Sequence, residues 1–394
     1  MSVGTDRPIV IIGASSPGGT RGPVAIRIEG GRIAAVGPDA GPLDDGTARR
    51  FDGAGLVVAP GFIDLQINGA AGHDLTTEPE TVWAVGAALG RYGVTAFVPT
   101  LVSAGGAIIE RARAVFVAGP PAGYVGATPL GWHVEGPFLS PKRAGAHDPA
   151  SLRPPDVAAV AGWSPETGIR TVTVAPELPG ALDVIRMLVA GGVLVSAGHS
   201  AATYAEAKAG FDAGIRWVTH LFNAMAPLDH REPGLAGAAI EDPRVTIGLI
   251  PDGLHVHPAL VSIVSRAVGV ERLTIVTDAI AALGMDPGEH HLAGRKVRVH
   301  GGSARLEDGT LAGSVISLDA AVRNLAAYCG GDVAAALAAV TNVPASLLGI
   351  TADRGALRPG MIADVTLLTP DLEVVLTLAA GQVIHDATEG ARWA

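Results

Sequence analysis

The middle of the chain alternates short apolar runs with longer amphipathic or alanine-rich stretches. The short runs predict buried strands, and helical periodicity follows most of them, as in TVWAVGAALGRY, ALDVIRMLVAG and TYAEAKAGFDAG. Repeated strand-then-helix units predict an α/β fold, a TIM-like (β/α)8 barrel. The predicted strands lie near 62–67, 94–98, 129–134, 170–174, 193–197, 215–219, 245–250 and 273–277.

Both ends of the chain show a different pattern, with short strand-like runs and no long helical period. The N-terminal runs are PIVIIG, VAIRIEGGRIAAVG and LVVAP, and the C-terminal ones are GALRPGMIADVTLLTP and LEVVLTLAAGQVIHD. A doubly wound sheet is the alternative architecture for the middle of the chain. It is disfavoured because no glycine-rich dinucleotide fingerprint follows the first predicted barrel strand.

The composition supports a compact enzyme. The chain has 394 residues, enough for one large and one smaller domain, and 48% of them are hydrophobic. Charged residues make up only 17%, and the frequent Gly and Pro follow no collagen-like period, which argues against a disordered chain.

Cysteine content and charge narrow the expected cellular compartment and the classes of binding partner. Cys329 is the single cysteine, so no internal disulfide can form, and the first residues lack the pattern of a signal peptide. Apolar runs are interrupted before membrane-spanning length, so we expect a cytoplasmic protein without a membrane partner. The net charge of −10 disfavours nucleic acid but is compatible with a small anionic substrate bound by local cations.

Polar residues cluster where the predicted barrel strands stop. The carboxyl ends of barrel strands surround one mouth, where active sites form. One histidine at a strand end is unremarkable, but five or six strand ends that carry His, Glu or Asp are hard to explain by packing. The segments concerned are DLQING, HVEGP, SAGHS, THLFNAM, PDGLHVH and TDA.

Three of these residues form a candidate metal site. Glu135, His199 and His220 offer one carboxylate and two imidazoles, and catalytic zinc sites use three such ligands with one position left for water. Without a thiolate ligand, the set suits Zn and also other first-row divalent ions. The alternative is that each is an ordinary hydrogen-bonded polar group, which is harder to maintain for the three together.

Other polar residues suggest catalytic and binding roles. Asp278 ends an apolar strand, and a carboxylate beside a divalent cation stays ionised and can accept a proton. His147 and His255 could hydrogen-bond a sugar hydroxyl or polarise a carbonyl, or they could be plain surface histidines. Arg231 lies in a Gly/Pro-rich loop and suits an anion clamp. His133 is expected to support Glu135 from behind, since the two share one side of a strand.

With these residues in place, the chain resembles the amidohydrolase superfamily and, within it, the deacetylases of phosphorylated N-acetyl amino sugars. The resemblance covers nearly the whole chain, and its most specific part is the block that runs from THLFNAM to HREPGLAGA. The other matching segments are PGFIDLQINGAAG, HVEGPFLSPKRAGAHDP, VSAGHSAATYAEAKAGFDAGI, PDGLHVHP, IVTDA and LAGS.

The resemblance implies a role for each matching residue. It implies that Glu135, His199 and His220 bind the metal and that Asp278 is the general base and then the general acid. It further implies substrate contacts from a second group of residues, with phosphate bound by Arg231, often from the neighbouring subunit. That second group consists of Ala146, His147, Asn223, Ala224, Arg231 and His255.

The resemblance also implies the architecture, the cofactor and the partners. A small β-sandwich domain is expected from 1–58 and 354–394, and the catalytic barrel from 59–353. The expected cofactor is one divalent ion, Zn before Fe, Mn or Co. The expected substrate is N-acetyl-D-glucosamine 6-phosphate, hydrolysed at its acetamide to glucosamine 6-phosphate and acetate, and the expected assembly is a homodimer.

One departure from the superfamily pattern concerns metal number. Most amidohydrolases carry His-x-His at the end of the first barrel strand, where this chain has Gln66-Ile67-Asn68. Amides are poor ligands compared with imidazole, so a second metal is not expected there, unless His73 compensates.

Several functions remain open at this stage. One is a deacetylase of N-acetylgalactosamine 6-phosphate, a substrate that differs from N-acetylglucosamine 6-phosphate only in the orientation of one hydroxyl. A D-aminoacylase or a cyclic amidase is more distant, since cyclic amidases usually keep the His-x-His. A non-catalytic barrel that binds an amino-sugar phosphate would have no reason to keep the metal set and Asp278 together.

Overall fold

Short strands occupy both ends of the chain, and strands alternate with helices in its middle. The computed structural model describes residues 7–17, 22–38 and 45–394, so the parts of the predicted terminal domain at 1–6, 18–21 and 39–44 lie outside the described residues. The strands up to the second barrel strand are β1 (Ile9–Ala14), β2 (Val24–Glu29), β3 (Arg32–Gly37), β4 (Arg49–Asp52), β5 (Val57–Pro60), β6 (Phe62–Ile67), β7 (Gly69–Ala70), β8 (His73–Asp74) and β9 (Val94–Val102). The later strands are β10 (Thr128–Pro129), β11 (Trp132–Glu135), β12 (Ile169–Val174), β13 (Leu194–Ala197), β14 (Trp217–Val218), β15 (Thr246–Leu249), β16 (Leu273–Ile275), β17 (Gly288–Leu292), β18 (Arg295–His300), β19 (Ser303–Arg305), β20 (Val365–Leu368), β21 (Val374–Ala379) and β22 (Gln382–Asp386).

The α-helices follow most of the barrel strands. They are α1 (Val82–Leu89), α2 (Gly106–Ala118), α3 (Ala181–Ala190), α4 (Tyr204–Ala213), α5 (Gly234–Glu241), α6 (Pro258–Val268), α7 (Leu318–Tyr328), α8 (Val333–Ala338) and α9 (Asn342–Leu347). Short 3₁₀ turns span Pro79–Thr81, Gly90–Tyr92, Pro141–Arg143, Pro149–Ser151, Ala158–Val160, Pro165–Thr167 and Val270–Arg272.

A parallel sheet in the continuously described stretch 45–394 forms the barrel. Its strand order is β6, β9, β11, β12, β13, β14, β15 and β16. A parallel bridge between Ile67 and Ala279 brings the segment after β16 back to β6, and the Asp278 N–H donates to the Gln66 carbonyl at 2.9 Å. The predicted TIM-like barrel is confirmed, and each predicted strand overlaps one of these strands.

Two predicted strands differ from the observed ones. β9 continues to Val102 instead of ending near 98, and all nine of its residues are buried, as in a strand covered on both faces. The predicted strand 129–134 is divided into β10 and β11, because Gly131 lies between them with a φ of 112°, which no strand residue adopts.

Helix packing follows the apolar periodicity of the sequence. In α3 the residues at helical spacing on one face are buried, namely Ala181, Val184, Ile185 and Leu188. α4 begins with a capping box, in which the Thr203 side chain accepts from the Glu206 N–H and the Glu206 side chain bonds back to the Thr203 backbone. These local signals account for the helices that the sequence predicted.

The two chain ends meet in a small β-sandwich, as predicted. One four-stranded sheet has the order β3-β2-β1-β4, and the other has the order β22-β21-β20-β5. Ile11 and Phe51 from the first sheet pack in one apolar cluster with Val365 and Leu376 from the second. The exact residue limits of this domain stay a prediction, and β5 crosses the predicted limit at residue 58.

A three-stranded antiparallel sheet that the sequence analysis did not predict follows the last barrel strand. It consists of β17, β18 and β19, and a two-residue turn at Gly301-Gly302, both with positive φ, joins the last two strands. Its apolar face, with Val297 and Val299, packs against Val102 and Ile280 beside the barrel mouth. We call β17–β19 the inserted sheet.

Among the described residues, none of the helices is both long enough and apolar enough to span a membrane.

Candidate metal and catalytic centre

Four predicted site residues converge at the barrel mouth. Glu135 is the last residue of β11, and His199, His220 and Asp278 each stand a few residues after β13, β14 and β16. The last three have positive φ values of 49°, 30° and 49°, a left-handed conformation that costs a non-glycine residue roughly 1–3 kcal/mol. Such strain persists only where the surroundings fix the backbone, and it is concentrated at functional sites.

Glu135, His199 and His220 form a compact ligand set. One ligand atom from each lies within 4.8 Å of the other two, and all three residues are buried. The Nε2 atoms of His199 and His220 are 3.3 and 3.0 Å from Oε1 of Glu135. One carboxylate and two imidazoles with a cavity beside them match the ligand number of a catalytic divalent-metal site.

The hydrogen bonds around this set fit a cation. Nδ1 of His199 lies 3.1 Å from the Arg143 carbonyl, which can only accept, so Nδ1 carries the proton and Nε2 presents a lone pair. A bare nitrogen that faces a carboxylate oxygen at 3.3 Å is repelled unless a cation lies between them. Nδ1 of His220 is buried without a partner among the described residues.

Electrostatics keep Glu135 ionised. Burial alone would raise its pKa, but the surrounding imidazoles of His147, His199 and His220 hold the pKa well below its usual range. The imidazole of His147 lies 3.5 Å from Oε2 of Glu135, and burial lowers the pKa of His147 to about 4. A permanently charged carboxylate beside neutral imidazoles is the form in which these groups bind metals.

Asp278 lies beside the ligand set and is held by two amides. Asn68 donates from Nδ2 to Oδ1 of Asp278 at 2.7 Å, and Gln66 donates from Nε2 to the same oxygen at 3.2 Å. Burial, followed by the negative charge of Glu135, raises the pKa of Asp278. A raised pKa brings a carboxylate closer to the neutral range in which a general base is most effective.

The same amides explain why a second metal is not favoured near β6. Thr219 donates to Oε1 of Gln66, so the Nε2 group faces the carboxylates of Glu135, at 2.9 Å, and Asp278. An amide nitrogen that donates hydrogen bonds has no lone pair to offer a metal. His73 lies in the short strand β8 and is not among the residues that line the cavity.

The segment LAGS, at residues 311–314, fixes the backbone of Asp278. The Ser314 N–H donates to the Asp278 carbonyl at 2.9 Å. Gly313 has a φ of 60°, and a β-carbon there would approach that carbonyl oxygen to 2.6 Å. Only glycine fits this position, so the segment packs directly against the backbone of Asp278 and holds it in place.

The ligand set and Asp278 open into a cavity of about 350 Å³. His147, Ala146, Asn223, Ala224 and His255, all predicted to contact substrate, line it. The inserted sheet and the loop after it supply one wall. Lining residues that the sequence analysis did not single out are Val102, Lys142, Arg143, Ala144, Gly145, Leu292, Thr310, Leu311 and Gly313.

Two of the predicted histidines are oriented by neighbours. Nδ1 of His255 lies 2.7 Å from Oδ2 of Asp252, and Nδ1 of His147 lies 2.7 Å from the Ser103 hydroxyl. Ser103 follows directly after β9, and the sequence analysis missed it because the strand was predicted to end earlier. His257, two residues after His255, is exposed and directly precedes α6, which begins at Pro258.

Two predicted residues lie away from the cavity. Arg231 is exposed in the loop 227–232 and does not line the cavity within one chain. His133 is fully buried, with Nε2 at 2.7 Å from Thr173 Oγ1 and its ring against Trp217, and burial lowers its pKa to about 4. It shares its strand with Glu135, but no hydrogen bond joins the two side chains among the described residues.

Comparison with known proteins agrees with this geometry. The sequence profile of the Amidohydrolase family matches residues 57–384. The chain belongs to the amidohydrolase family. Members of this family depend on metal ions, and this amidohydrolase carries the Glu135, His199 and His220 cluster that could hold one.

Individual relatives of this amidohydrolase are similar along most of their length. It is 38% identical to the N-acetylglucosamine-6-phosphate deacetylase of Homo sapiens, over 86% of each chain. It is 37% identical to the N-acetylgalactosamine-6-phosphate deacetylase of Escherichia coli O157:H7, over 91% of this chain and 94% of that one. Its fold matches a mutant N-acetyl-D-glucosamine-6-phosphate deacetylase from Mycobacterium smegmatis, solved in complex with N-acetyl-D-glucosamine-6-phosphate, with a TM-score of 0.88, 36% identity and coverage of 96% and 99%.

Proposed function

We propose that this amidohydrolase hydrolyses the acetamide of N-acetyl-D-glucosamine 6-phosphate to glucosamine 6-phosphate and acetate. The observation that carries the proposal is the buried Glu135, His199 and His220 set beside Asp278, open to one cavity. The similarity to deacetylases of phosphorylated N-acetylhexosamines supports the substrate class. It agrees with the resemblance in the sequence.

The three ligands would hold one divalent metal ion, with Zn²⁺ as the first choice because of its preference for nitrogen and carboxylate oxygen. Fe, Mn and Co suit the same ligand types. When bound, such an ion supplies Lewis-acid chemistry, which polarises a carbonyl and makes water more acidic. The donation of Nδ1 of His199 to the Arg143 carbonyl supports a metal on the opposite nitrogen.

Asp278 is proposed to move the protons. Both amides donate to its Oδ1, which leaves Oδ2 for a water in the cavity. Asp278 takes a proton from that water as it attacks the acetyl carbonyl. It then delivers the proton to the nitrogen of the departing sugar amine, so the amide bond breaks and acetate and the free amine are released.

The remaining predicted residues are proposed to recognise the substrate. His147 lies at the cavity floor beside Glu135 and is proposed to donate to the acetyl carbonyl. Asn223, Ala224 and His255 line the side wall and are proposed to contact the sugar, with Ala146 beside His147. These roles follow the resemblance, and the lining of the cavity supports them.

Phosphate recognition is proposed to involve a second copy of the chain. The exposed Arg231 would bind the phosphate of the neighbouring subunit through its planar guanidinium. Large exposed apolar residues lie on the same loop and around α6, as a subunit interface requires, namely Leu228, Leu254, Leu260 and Ile263. We therefore propose a homodimer.

One second candidate is favoured by a specific observation. The relative with 37% identity over 91% of this chain acts on N-acetylgalactosamine 6-phosphate, the epimeric sugar. The two substrates differ in the orientation of one hydroxyl, and the proposed chemistry at the acetamide is the same for both.

A substrate panel tests the proposal. Purified protein would be assayed for acetate released from N-acetylglucosamine 6-phosphate, its galactose epimer and both unphosphorylated sugars, together with metal quantification. We expect about one metal ion per chain, from the single ligand set, and the highest kcat/KM on the 6-phosphorylated glucosamine derivative. Binding without acetate release would instead indicate a non-catalytic sugar-phosphate protein. A cytoplasmic location also stays a proposal.

A further inference from the structure

We propose that Ser103 and Arg295 are positioning residues that fix His147 for the deacetylation reaction. The inference rests on the proposed function, since it concerns the histidine proposed to donate to the acetyl carbonyl. The two residues contact different parts of His147: Ser103 contacts its ring, and Arg295 contacts its backbone. Neither stands out in the sequence.

Ser103 holds the ring of His147 in place by a hydrogen bond. Its hydroxyl lies 2.7 Å from Nδ1, both groups are buried, and the hydroxyl has no other hydrogen-bond partner among the described residues. A neutral imidazole has one donor and one acceptor nitrogen. Oε2 of Glu135 can only accept and lies 3.5 Å from Nε2, so Nε2 carries the proton and Nδ1 accepts from the Ser103 hydroxyl. His147 also lines the cavity, where this N–H would donate to a substrate oxygen.

The backbone of Ser103 supports this task. Its φ is 42°, in the left-handed region, and its N–H donates to the Glu135 carbonyl at 2.8 Å. The turn after β9 is therefore tied to the end of β11. As a result, the Ser103 hydroxyl and the Glu135 carboxylate keep a fixed separation, with the His147 ring between them.

Arg295 ties the loop of His147 to the inserted sheet. It is the first residue of β18, and its Nη1 donates to the carbonyls of Ala146 at 2.8 Å and His147 at 3.3 Å. Its side chain is partly buried, and Ala146 packs against the apolar cluster of the inserted sheet. A cation that bridges two successive carbonyls fixes the backbone from which the imidazole extends.

The test measures kcat and KM of the metal-loaded protein for acetate release in the backgrounds of native His147 and His147→Ala. Ser103→Ala, Ser103→Gly and Arg295→Met are made in each. Ser103→Gly removes the hydroxyl and relieves the positive φ, so it separates the hydroxyl from backbone strain. Arg298→Met is the matched control, since Arg298 is exposed on the same strand and its substitution removes the same charge.

We expect both Ser103 variants and Arg295→Met to lower kcat/KM roughly 10- to 100-fold, mostly through kcat, with normal metal content. In the His147→Ala background the same changes should have less than about a twofold effect. With an N-trifluoroacetyl substrate the losses should shrink, because a more electrophilic carbonyl needs less polarisation. Arg298→Met should match the native protein.

Several results would overturn the inference. One is an equal loss in both backgrounds, since the residues would then act without His147. Another is activity unchanged by Ser103→Gly and Arg295→Met, or His147→Ala as active as the native protein. If the Ser103 variants fail to fold or lose metal, Arg295→Met decides the question in the same two backgrounds. A native protein that releases no acetate would refute the proposed function itself.

Discussion

The floor of the cavity and the Arg231 loop are built in opposite ways. On the floor, Glu135 and His199 are buried and Asp278 is half-buried, and their polar atoms contact one another or neighbouring side chains of the same chain. Arg231 is exposed, and within one chain it does not reach the cavity. Under the proposed function, one chain would suffice for the bond-breaking chemistry, whereas phosphate recognition would need a second copy.

The two regions also differ in how firmly they are held. Residues of the floor keep left-handed backbone conformations, which dense hydrogen bonding maintains. The loop 227–232 is exposed along its length, and the Arg231 N–H bonds only locally, to Asp229 at 2.9 Å. We therefore expect changes on the floor to affect kcat and changes in the loop to affect KM.

Removal of the metal ion should have the largest effect. A chelator should abolish acetate release, because the floor then lacks its Lewis acid, and Zn²⁺ should restore it. The melting temperature should also fall, since an ion that binds only the folded chain stabilises it. Activity that persists in protein shown to be metal-free would remove the cation from the floor.

Asp278→Asn should be next in size. Loss of the proton acceptor should lower kcat by roughly 10²–10⁴-fold while metal content stays normal. Steady-state kinetics with metal quantification measures this. Asp183→Asn, at an exposed position on α3, is the control and should behave as the native protein. Near-native turnover in Asp278→Asn would assign the proton transfer to another group.

Arg231→Met should have a smaller effect that depends on phosphate. We expect KM for the 6-phosphorylated sugar to rise roughly 10- to 100-fold, the value of one or two charge-assisted hydrogen bonds, with kcat nearly unchanged. The unphosphorylated sugar should be hydrolysed as before. An equal loss on both sugars would show that the loop does not read phosphate.

Mixing two variants tests the proposed interface directly. In a hybrid dimer of Arg231→Met and Asp278→Asn chains, one site would combine a native Asp278 with the native Arg231 of the other subunit. Co-refolded mixtures should therefore recover a low KM together with a substantial kcat, a combination that neither parent has. If the mixture behaves as the sum of its parents, Arg231 does not act across an interface.

The smallest expected effect concerns stability. Burial raises the pKa of Asp64 from 3.8 to about 7, even though Thr277 donates to its carboxylate at 2.6 Å. The folded state thus binds this proton more tightly than the unfolded chain, so the stabilisation is full below about pH 4 and is lost as the pH rises toward 7. Asp64→Asn should flatten this decline, measured by denaturant unfolding of metal-free protein from pH 4 to 8. Parallel pH profiles for variant and native protein would refute it.

The sequence predicts the floor of the site well because each functional group follows an apolar run. Glu135, His199 and Asp278 stand at strand ends, and the barrel brings such ends together whatever the details of packing. The small sandwich was also predictable, since both chain ends carry strand patterns without helices.

Ser103 was not predicted, for a local reason. Proline normally ends a strand, because it has no N–H for the ladder, yet β9 continues past Pro99 to Val102. The strand end, with the serine after it, therefore lies four residues beyond the predicted one. The inserted sheet does have a sequence signal: the turn Gly301-Gly302 lies between alternating apolar and charged residues, a pattern typical of a β-hairpin.

Other features have no signal in one sequence. Arg295 donates to Ala146, 149 positions earlier in the chain, and only the packing of the inserted sheet beside the barrel mouth creates that contact. The orientation of the Gln66 amide likewise depends on Thr219, from a different barrel strand. Long-range hydrogen bonds of this kind are set by tertiary structure.

The inserted sheet has a consequence for how the enzyme can change. The barrel closes at Ile67 and Ala279, before β17 begins, so the inserted sheet contributes a wall to the cavity but no strand to the barrel. A hairpin of different length or composition could therefore be grafted at 288–305, with arginine kept at position 295 for His147, while Glu135, His199, His220 and Asp278 keep their support. Evolution or engineering could broaden the range of acyl groups and sugars by exchanging this single module.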